Sequence, residues 1–403
     1  MRVLAIGGSG GMGRYAVRTT ETFQEVESIV VADLNKEEAK KFADTLGPKV
    51  SGRGLDVLNE ESLNAAVKEA DVVLNTCGPF FRLAEPILAS AIKYKTDYLD
   101  ICDDWEPTWD MMEMDQEAKE NDVCAIIGLG ASPGLSNLLG LIACNELDSV
   151  KKVYTGWSMA SAKPEKESSQ TGANAAMVHA IQQMIGKVKI FQDGKYQNVR
   201  PLTEVEITYP GLGEFKSRIF GHPEAITFPK YFPDLKESIN LAHDGEMGSS
   251  VLKWILRLVE WNLLPINQAA SIFQSLEEKS PPPTNKETTG NQKRLPSIYG
   301  LAEGLKNGKE ATVGVTFETQ SSSEDGQGNP ISLVTSMGAS TGIPLACGLK
   351  LLLQGKVTEK GVFAPESGVL DPKDLLVEFV SVLQEQGDVP PAEDLIKVSR
   401  SWE

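Results

Sequence analysis

The sequence predicts an α/β protein with a doubly wound parallel sheet, followed by a second, mixed α/β domain. Three observations support this fold class. Apolar strand-like runs alternate with helical patterns over about the first 130 residues, as a parallel sheet with crossover helices requires. A glycine-rich turn follows the first of these runs, Val3 to Ile6. The length of 403 residues exceeds that of one ordinary core, so two domains are expected.

The glycine-rich turn joins the first predicted strand to the first helix with the spacing Gly8-x-Gly10-x-x-Gly13. Gly8 is expected to make the tight turn, Gly10 to let the backbone approach a pyrophosphate, and Gly13 to let the helix pack closely. The start of the helix offers N–H groups and a partial positive charge to phosphates. The pattern predicts a Rossmann dinucleotide site, with a purely structural turn as the alternative. The residues expected to contact the cofactor here are Gly8, Ser9, Gly10, Gly11, Met12 and Gly13.

An acidic residue, Asp33, follows the second apolar run about 20 residues after Gly13. A carboxylate in this place accepts hydrogen bonds from the adenosine ribose and repels a 2′-phosphate. The next residues, Leu34, Asn35 and Lys36, include no arginine, so NAD is the favoured cofactor. NADP stays open as an alternative, because Lys36 offers a phosphate a point charge.

The remaining strand ends predict the rest of the cofactor and substrate contacts, because ligands of doubly wound sheets bind beyond the carboxyl ends of the strands. Leu55-Asp56-Val57 is expected near the adenine, and the strands ending near Asn75, Asp100 and Ile127 are expected at the nicotinamide. The further cofactor candidates are Leu34, Asp56, Val57, Cys77, Gly78 and Pro79, and the substrate candidates in this part of the chain are Phe80, Ser132 and Pro133.

Several segments spread along the chain resemble the saccharopine dehydrogenase family, which includes saccharopine reductases, lysine 6-dehydrogenases and carboxynorspermidine dehydrogenases. Besides the glycine turn, the segments that carry the resemblance are Cys77-Gly78-Pro79-Phe80, Tyr98-Leu99-Asp100, Gly128-Leu129-Gly130-Ala131-Ser132-Pro133-Gly134 with Asn137, Gly221-His222-Pro223-Glu224 and Gly342-Ile343-Pro344.

The resemblance implies a Rossmann domain, residues 1–130 and about 338–403, and a substrate-binding and dimerisation domain, residues 131–337. It also implies an NAD(P)-dependent dehydrogenase or reductase that transfers hydride at a CH–NH carbon of an amino-acid or polyamine-like substrate. Such a reaction needs a group that handles a proton or holds a cationic amine. A homodimer with a small-molecule substrate is the expected state.

Asp100, Cys102 and Asp103 lie at the end of the fifth predicted strand and are the catalytic candidates. Each has a structural alternative. Asp100 is also suited to cap the next turn, Asp103 to form part of a charged helix start, and Cys102 to pack as a small apolar residue.

Two further substrate candidates come from the second predicted domain. A polar segment that contains Gly172 and Asn174 precedes an apolar helix. Its backbone N–H groups are suited to bind a carboxylate, and helix capping explains the polar segment equally well. His222 is expected to approach the substrate, with a turn role as the alternative.

Composition excludes several classes of protein. The net charge of −17 argues against nucleic acid and anionic lipid as partners. Five cysteines without metal spacing predict no metal site and suit a reducing cytoplasm, and the chain opens on a strand with no room expected for a signal peptide. The apolar stretch Val251 to Leu264 is too short for an integral membrane segment. It predicts a buried or subunit-facing helix, or alternatively an interfacial membrane helix.

Two other functions stay open. One is a reductase of a C=C or C=O bond in a hydrophobic substrate, which Phe80-Phe81 and the helix at Trp254 would suit. The other is a dinucleotide-binding scaffold or sensor without turnover. Fold class alone does not separate them.

Overall fold

The chain forms two compact units in the computed structural model. Unit 1 comprises Met1–Leu141 with Val334–Asp394, and unit 2 comprises Ile142–Leu333 with Leu395–Glu403. The structure describes residues 1–159, 175–244, 250–279, 293–318, 320–324, 330–332, 336–385 and 389–402.

The described strands, numbered along the chain, are β1 (Arg2–Ile6), β2 (Ser28–Asp33), β3 (Val50–Gly54), β4 (Val72–Asn75), β5 (Asp97–Asp100), β6 (Cys124–Ile126), β7 (Ser149–Ser158), β8 (Val188–Gln192), β9 (Lys195–Val199), β10 (Glu204–Tyr209), β11 (Gly213–Ile219), β12 (Glu237–His243), β13 (Ile298–Lys306), β14 (Lys309–Phe317), β15 (Gln320–Glu324), β16 (Pro330–Ser332), β17 (Gly361–Phe363) and β18 (Ile396–Arg400).

The described helices are α1 (Gly11–Glu21), α2 (Lys36–Ala43), α3 (Glu60–Lys68), α4 (Phe80–Lys93), α5 (Trp105–Glu113), α6 (Asp115–Glu120), α7 (Leu135–Asn145), α8 (Ala175–Gln183), α9 (Glu224–Tyr231), α10 (Ser250–Glu260), α11 (Ile266–Lys279), α12 (Met337–Leu353), α13 (Pro372–Gln384) and α14 (Ala392–Leu395), with a short 3-10 turn at Pro365–Ser367.

Unit 1 is built on a seven-stranded parallel sheet in the order β17-β6-β5-β4-β1-β2-β3. The strands β1 to β6 follow the doubly wound order of a Rossmann fold, and the strand order reverses between β1 and β4. This confirms the predicted fold class. The C-terminal part of the chain returns to this sheet as β17, which pairs with β6. The predicted return extended to residue 403, but β18 pairs with β14 of unit 2.

One strand of this sheet differs from the prediction. The third strand is Val50–Gly54, and the predicted segment Leu55-Asp56-Val57 lies in the loop after it. The strand is polar and contains two glycines, so hydrophobic periodicity does not reveal it. Its Gly52 faces helix α2 so closely that an added Cβ would lie 2.5 Å from the carbonyl oxygen of Ala39. Close packing against the helix thus explains the sequence of this strand.

Helix α12 packs directly against the backbone of α1. A Cβ added to Gly342 would lie 2.2 Å from the carbonyl oxygen of Met12 and 3.0 Å from the amide nitrogen of Ala16. The helix begins at a side-chain cap, because the hydroxyl of Ser336 accepts a hydrogen bond of 3.1 Å from the amide of Ala339. The C-terminal part of the chain therefore supports the helix that follows the glycine turn.

Unit 2 contains a nine-stranded mixed sheet whose main path is β10-β11-β12-β7-β13-β14-β18, with β8 paired to β12 and β9 paired to β8. Strands β7 and β12 are parallel, and the other neighbours are antiparallel. This confirms the predicted second, mixed α/β part. The ring of Tyr299 covers Gly156 of the neighbouring strand, where an added Cβ would lie 2.0 Å from the ring carbon Cζ. The glycine therefore makes room for a buried aromatic core.

Helix α10 of unit 2 is amphipathic. One side, which includes Leu252 and Leu256, packs into an apolar cluster with α8 and α11. The other side leaves Val251, Trp254 and, just beyond the helix, Trp261 more than half exposed. Within the described residues, no helix is both long and apolar enough to cross a membrane.

We expect the substitution Gly342→Ala to destabilise the protein by about 1–3 kcal/mol, because the added methyl group overpacks the contact between α12 and α1. Urea unfolding of the intact chain measures the change. Gly11→Ala is the matched control, since a Cβ there meets nothing within 4 Å. Equal stability of the two variants would contradict the close packing described above.

Candidate functional site

The glycine turn after β1 is held by close backbone contacts. Gly7 has a φ of +72°, in the left-handed region, and its amide donates a 2.8 Å hydrogen bond to the carbonyl oxygen of Ala32. A Cβ added to Gly13 would lie 2.3 Å from the carbonyl oxygen of Gly7, which is the close helix packing expected for that residue. Gly8 was expected to make the tight turn, but the left-handed residue is Gly7. Gly8 instead packs against the carbonyl oxygen of Ala5.

The outer side of the same turn is open. Gly10 is exposed, and a Cβ at Gly11 would meet nothing within 4 Å. Helix α1 begins without a side-chain cap and without an acidic residue in its first turn. Backbone N–H groups at such a start are available to an anion, and the helix dipole favours negative charge there. The turn therefore fits a dinucleotide pyrophosphate.

Asp33 lies at the end of β2, beside this turn. Its Oδ2 accepts a 2.6 Å hydrogen bond from the hydroxyl of Ser9. The next helix, α2, is capped by Asn35, whose Oδ1 accepts hydrogen bonds from the amides of Glu37 and Glu38. A hydrogen bond thus joins two of the predicted cofactor residues, Ser9 and Asp33. The side chain of Asn35 occupies the amides at the start of α2.

Two exposed leucines follow β2 and β3. Leu34 is 76% exposed and Leu58 is 50% exposed, which is unusual for large apolar side chains. Asp56 is exposed, and its Oδ1 accepts a hydrogen bond of 3.0 Å from the amide of Leu58. Val57, a predicted cofactor residue, is buried in the core instead. Leu58 is therefore a second exposed apolar residue after a strand of this sheet, and the sequence did not single it out.

A buried polar chain connects the ends of β4, β5 and β6. The amide of Asn75 donates to the hydroxyl of Tyr98 at 2.9 Å, and this hydroxyl donates to Oδ2 of Asp100 at 2.7 Å. The backbone amides of Cys102 and Gly128 donate to Oδ1 of Asp100 at 3.0 and 2.7 Å. Three donors therefore surround one carboxylate, which fixes the strand ends relative to each other.

These contacts bear on the catalytic expectation for Asp100 and Cys102. Both side chains are completely buried. Burial raises the pKa of Asp100 to about 6, even though the two amides and the tyrosine hydroxyl stabilise its charged form. Burial also raises the pKa of the Cys102 thiol well above its usual value, so the thiolate nucleophile is not formed near neutral pH. Burial thus favours the structural alternative for both residues, and their catalytic role stays a prediction.

The segment after β4 combines buried and exposed residues. Cys77 is half-buried, and burial together with the charge of Asp33 raises its thiol pKa to about 11. Gly78 and Pro79 are exposed and joined by a cis peptide bond. Phe80 is buried. The neutral thiol is thus suited to line a site without reacting.

The next phenylalanine connects this segment to the end of β5. Phe81 is 52% exposed, and its amide donates a 3.1 Å hydrogen bond to the buried carboxylate of Asp104. Asp103, the third catalytic candidate, is half-buried between Cys102 and Asp104. Asp103 is therefore the sequence neighbour of a residue that hydrogen-bonds to the aromatic segment.

The loop after β6 folds back on itself. The amide of Gly130 donates to the carbonyl oxygen of Pro133 at 2.9 Å, and the amide of Gly134 donates to the side chain of Asn137 at 2.8 Å. Asn137 in turn donates to the buried carboxylate of Glu366 at 2.7 Å. Ser132 is half-buried and Pro133 is buried. The loop is thus held by a residue from the C-terminal return, a partner that spacing in the sequence does not indicate.

His222 lies in an aromatic cluster of unit 2. Its ring stacks on Trp157 with a centroid distance of 5.3 Å and meets Phe220 edge to face at 5.1 Å. Nearby, the side chain of Asn240 donates to the buried carboxylate of Glu224 at 3.0 Å. The predicted role of His222 at the substrate stays a prediction. Gly172 and Asn174 lie outside the described residues.

We predict that Asp100→Asn flattens the pH dependence of stability. Because the folded-state pKa is about 6 and the unfolded value is about 4, the folded state binds the proton more tightly, and stability decreases as the pH rises from 4 to 6. The loss amounts to about 2–3 kcal/mol. Urea unfolding at pH 4.5 and pH 7.5 should show wild type losing about 2 kcal/mol relative to the variant, because part of the unfolded-state titration lies below pH 4.5. An equal pH dependence of both proteins would contradict the prediction.

Comparison with known proteins relates this chain to dehydrogenases. Residues 3–126 match the family model described as the saccharopine dehydrogenase NADP binding domain. A carboxyaminopropylagmatine dehydrogenase from Synechocystis sp. is 23% identical over 96% of each chain. A lipid droplet localized protein from Caenorhabditis elegans is 29% identical over 32% of each chain. Among solved structures, apo saccharopine dehydrogenase (L-Glu forming) from Saccharomyces cerevisiae matches with a TM-score of 0.59, 16% identity and 99% coverage of each chain.

The fold, the glycine turn and the matched domain agree with the motifs singled out in the sequence. They support a nucleotide cofactor and an oxidoreductase. Residues 3–126 thus resemble the dinucleotide-binding domain of saccharopine dehydrogenases, and the whole chain is similar in fold to one of them.

Proposed function

We propose that the protein is an NAD-dependent oxidoreductase that transfers hydride at a CH–NH carbon of an amino-acid or polyamine-like substrate. The observation that carries the proposal is the open glycine turn beside the Asp33 carboxylate, which meets the needs of a pyrophosphate and an adenosine ribose. The Synechocystis relative, whose name states that it acts on carboxyaminopropylagmatine, supports the substrate class.

Three features favour NAD over NADP, although the matching domain family is described as NADP-binding. The carboxylate of Asp33 repels a 2′-phosphate. The side chain of Asn35 already occupies the first amides of α2, which would otherwise bind the phosphate. Glu37 and Glu38 add two negative charges to the first turn of that helix. A 2′-hydroxyl fits this environment better than a 2′-phosphate does.

At the nicotinamide end, the residues after β4, β5 and β6 would hold the cofactor and substrate. When bound, the dinucleotide supplies the hydride or accepts it. We propose that the half-buried Asp103 holds the cationic amine or handles its proton, since the carboxylate of Asp100 is enclosed by three donors. Ser132, after β6, is the accompanying polar candidate.

A second candidate function is reduction of a C=C or C=O bond in a hydrophobic substrate. Phe81 favours it, because this side chain is 52% exposed directly after the predicted cofactor segment. The C. elegans relative is named for its location on lipid droplets, which suits an apolar ligand. Turnover of amines against turnover of apolar enones and ketones, each assayed with the same dinucleotide, separates the two candidates.

We also propose a homodimer that forms through the outer side of α10, in a cytoplasmic protein whose five cysteines are free thiols. Trp254 and Trp261 are 58% and 56% exposed there. Exposed aromatic patches of this kind mark interaction surfaces, because burying them against a partner removes apolar area from water.

We expect the protein to bind NADH more tightly than NADPH, and Asp33→Asn to weaken NADH binding roughly tenfold to a hundredfold. That range corresponds to the loss of a charged hydrogen bond of about 1.5–3 kcal/mol. Energy transfer from the six tryptophans to the reduced dinucleotide measures both affinities. Asp110→Asn, an exposed carboxylate on α5, is the control and should bind as wild type. Absence of binding to either dinucleotide would contradict the proposed cofactor site.

For the dimer, we expect wild type to show a mass of twice 43.7 kDa by light scattering, and Trp254→Glu to show the monomer mass. The charge placed in the interface would remain unpaired on association. Val377→Glu, at an equally exposed apolar position of unit 1, should leave the dimer intact. A monomeric wild type would exclude this interface.

A further inference from the structure

Arg14 lies at the adenosine side of the glycine turn. It follows Gly13 in the first turns of α1, and its Nε donates a 2.5 Å hydrogen bond to the carbonyl oxygen of Ser9. Its guanidinium carbon lies 4.9 Å from the centre of the Phe42 ring, which belongs to α2. The guanidinium is therefore held between the glycine turn and the second helix of the sheet.

Ser9 connects this cation to Asp33. The same residue that accepts the hydrogen bond of Arg14 through its carbonyl donates its hydroxyl to the carboxylate of Asp33 at 2.6 Å. Ser9 is itself buried. The tertiary structure thus supplies an arginine near the ribose position, although the residues after Asp33 in the sequence contain none.

Glu38 lies opposite this arginine. Its Oε2 is 3.6 Å from Nη2 of Arg14, and both side chains are 39% exposed. The other carboxylate oxygen lies 3.9 Å from the ammonium of Lys41. Glu38 therefore places a carboxylate beside the guanidinium, and Asp33 is connected to Arg14 through Ser9.

We propose that Arg14 is the specificity-determining residue that faces the 2′ position of the adenosine ribose, and that Asp33 and Glu38 restrict that position to a hydroxyl. The inference rests on the proposed function, namely dinucleotide binding at the glycine turn. A 2′-phosphate would meet two negative charges in the wild type. When both carboxylates are removed, the Nη atoms of Arg14 can bind phosphate oxygens, because a guanidinium offers several donors in a planar fork.

Lys36 is the competing cation. Its carbon chain lies along Gly54, where an added Cβ would be 3.0 Å from Cβ and 3.6 Å from Cδ of the lysine. Gly54 pairs with Asp33 in the register of β2 and β3. Lys36 is therefore close enough to the same strand end to serve as a matched control for Arg14.

The test measures the dissociation constants of NADH and NADPH for the full chain by tryptophan energy transfer and by calorimetry. The variants are wild type, Glu38→Gln, Asp33→Asn with Glu38→Gln, and that double variant combined with Arg14→Gln, Arg14→Lys or Lys36→Gln. We expect the double variant to bind NADPH at least tenfold more tightly than wild type. Adding Arg14→Gln should remove the gain, Arg14→Lys should keep part of it, and Lys36→Gln should leave it nearly unchanged.

The salt dependence of binding gives a second readout. The gained NADPH affinity should decrease with salt more steeply than NADH affinity does, because it comes from a charge–charge contact. Thermal unfolding of each variant shows whether lost binding comes from lost folding.

Loss of the gain with Lys36→Gln but not with Arg14→Gln, in folded variants, would overturn the assignment of Arg14. No gain in the double variant, while wild type still binds NADH, would overturn the role of the two carboxylates and leave the proposed function standing. Failure of wild type and all variants to bind either dinucleotide would overturn both.

Discussion

The structure of unit 1 depends on backbone packed against backbone around the glycine turn. The carbonyl oxygen of Gly7 lies where a Cβ of Gly13 would stand, and the carbonyl oxygen of Met12 lies where a Cβ of Gly342 would stand. No side chain fits at either contact, so α1 is held close to β1 on one side and to α12 on the other. Overpacking at such contacts costs about 1–3 kcal/mol, a large share of the stability of an ordinary domain. The same closeness leaves the start of α1 open toward solvent, where an anion binds.

Burial separates the roles of the two aspartates that end β2 and β5. Asp33 is only partly buried, accepts one hydroxyl, and keeps a carboxylate oxygen with no hydrogen bond shorter than 3.4 Å in the described structure. Asp100 is completely buried and accepts three strong hydrogen bonds. An enclosed carboxylate ties strand ends together, whereas an accessible one is open to the proposed ligand. Two acidic residues at equivalent strand ends thus take different roles because their surroundings differ.

Much of unit 1 was predictable from the sequence, because its signals are local. The apolar runs, the glycine spacing and the acidic residue near position 33 all follow from neighbours within about 20 residues. The strand Val50–Gly54 was missed because it is polar, and its glycines serve the contact with α2. Val57, expected at the cofactor, lies in the loop after this strand and is buried.

The contacts that the sequence did not indicate are those made by distant parts of the chain. Arg14 lies against Phe42 and Glu38 of α2, and Asn137 hydrogen-bonds to Glu366. Spacing along one sequence does not encode such pairs, so the candidate site could be located but not completed.

The two ends of the dinucleotide site differ in what defines them, and this difference explains why the cofactor is easier to infer than the substrate. The pyrophosphate end consists of backbone amides and missing Cβ atoms, which bind the same chemical group in every protein that has them. The proposed nicotinamide end consists of side chains such as Phe81, Asp103 and Ser132, carried on loops that differ freely between relatives of one fold. The family model over residues 3–126 supports a dinucleotide site, whereas a shared fold at 16% identity says nothing about the substrate. At that end the exposed phenylalanine and the half-buried carboxylate favour different substrates, and which of them contacts the reacting carbon decides the reaction.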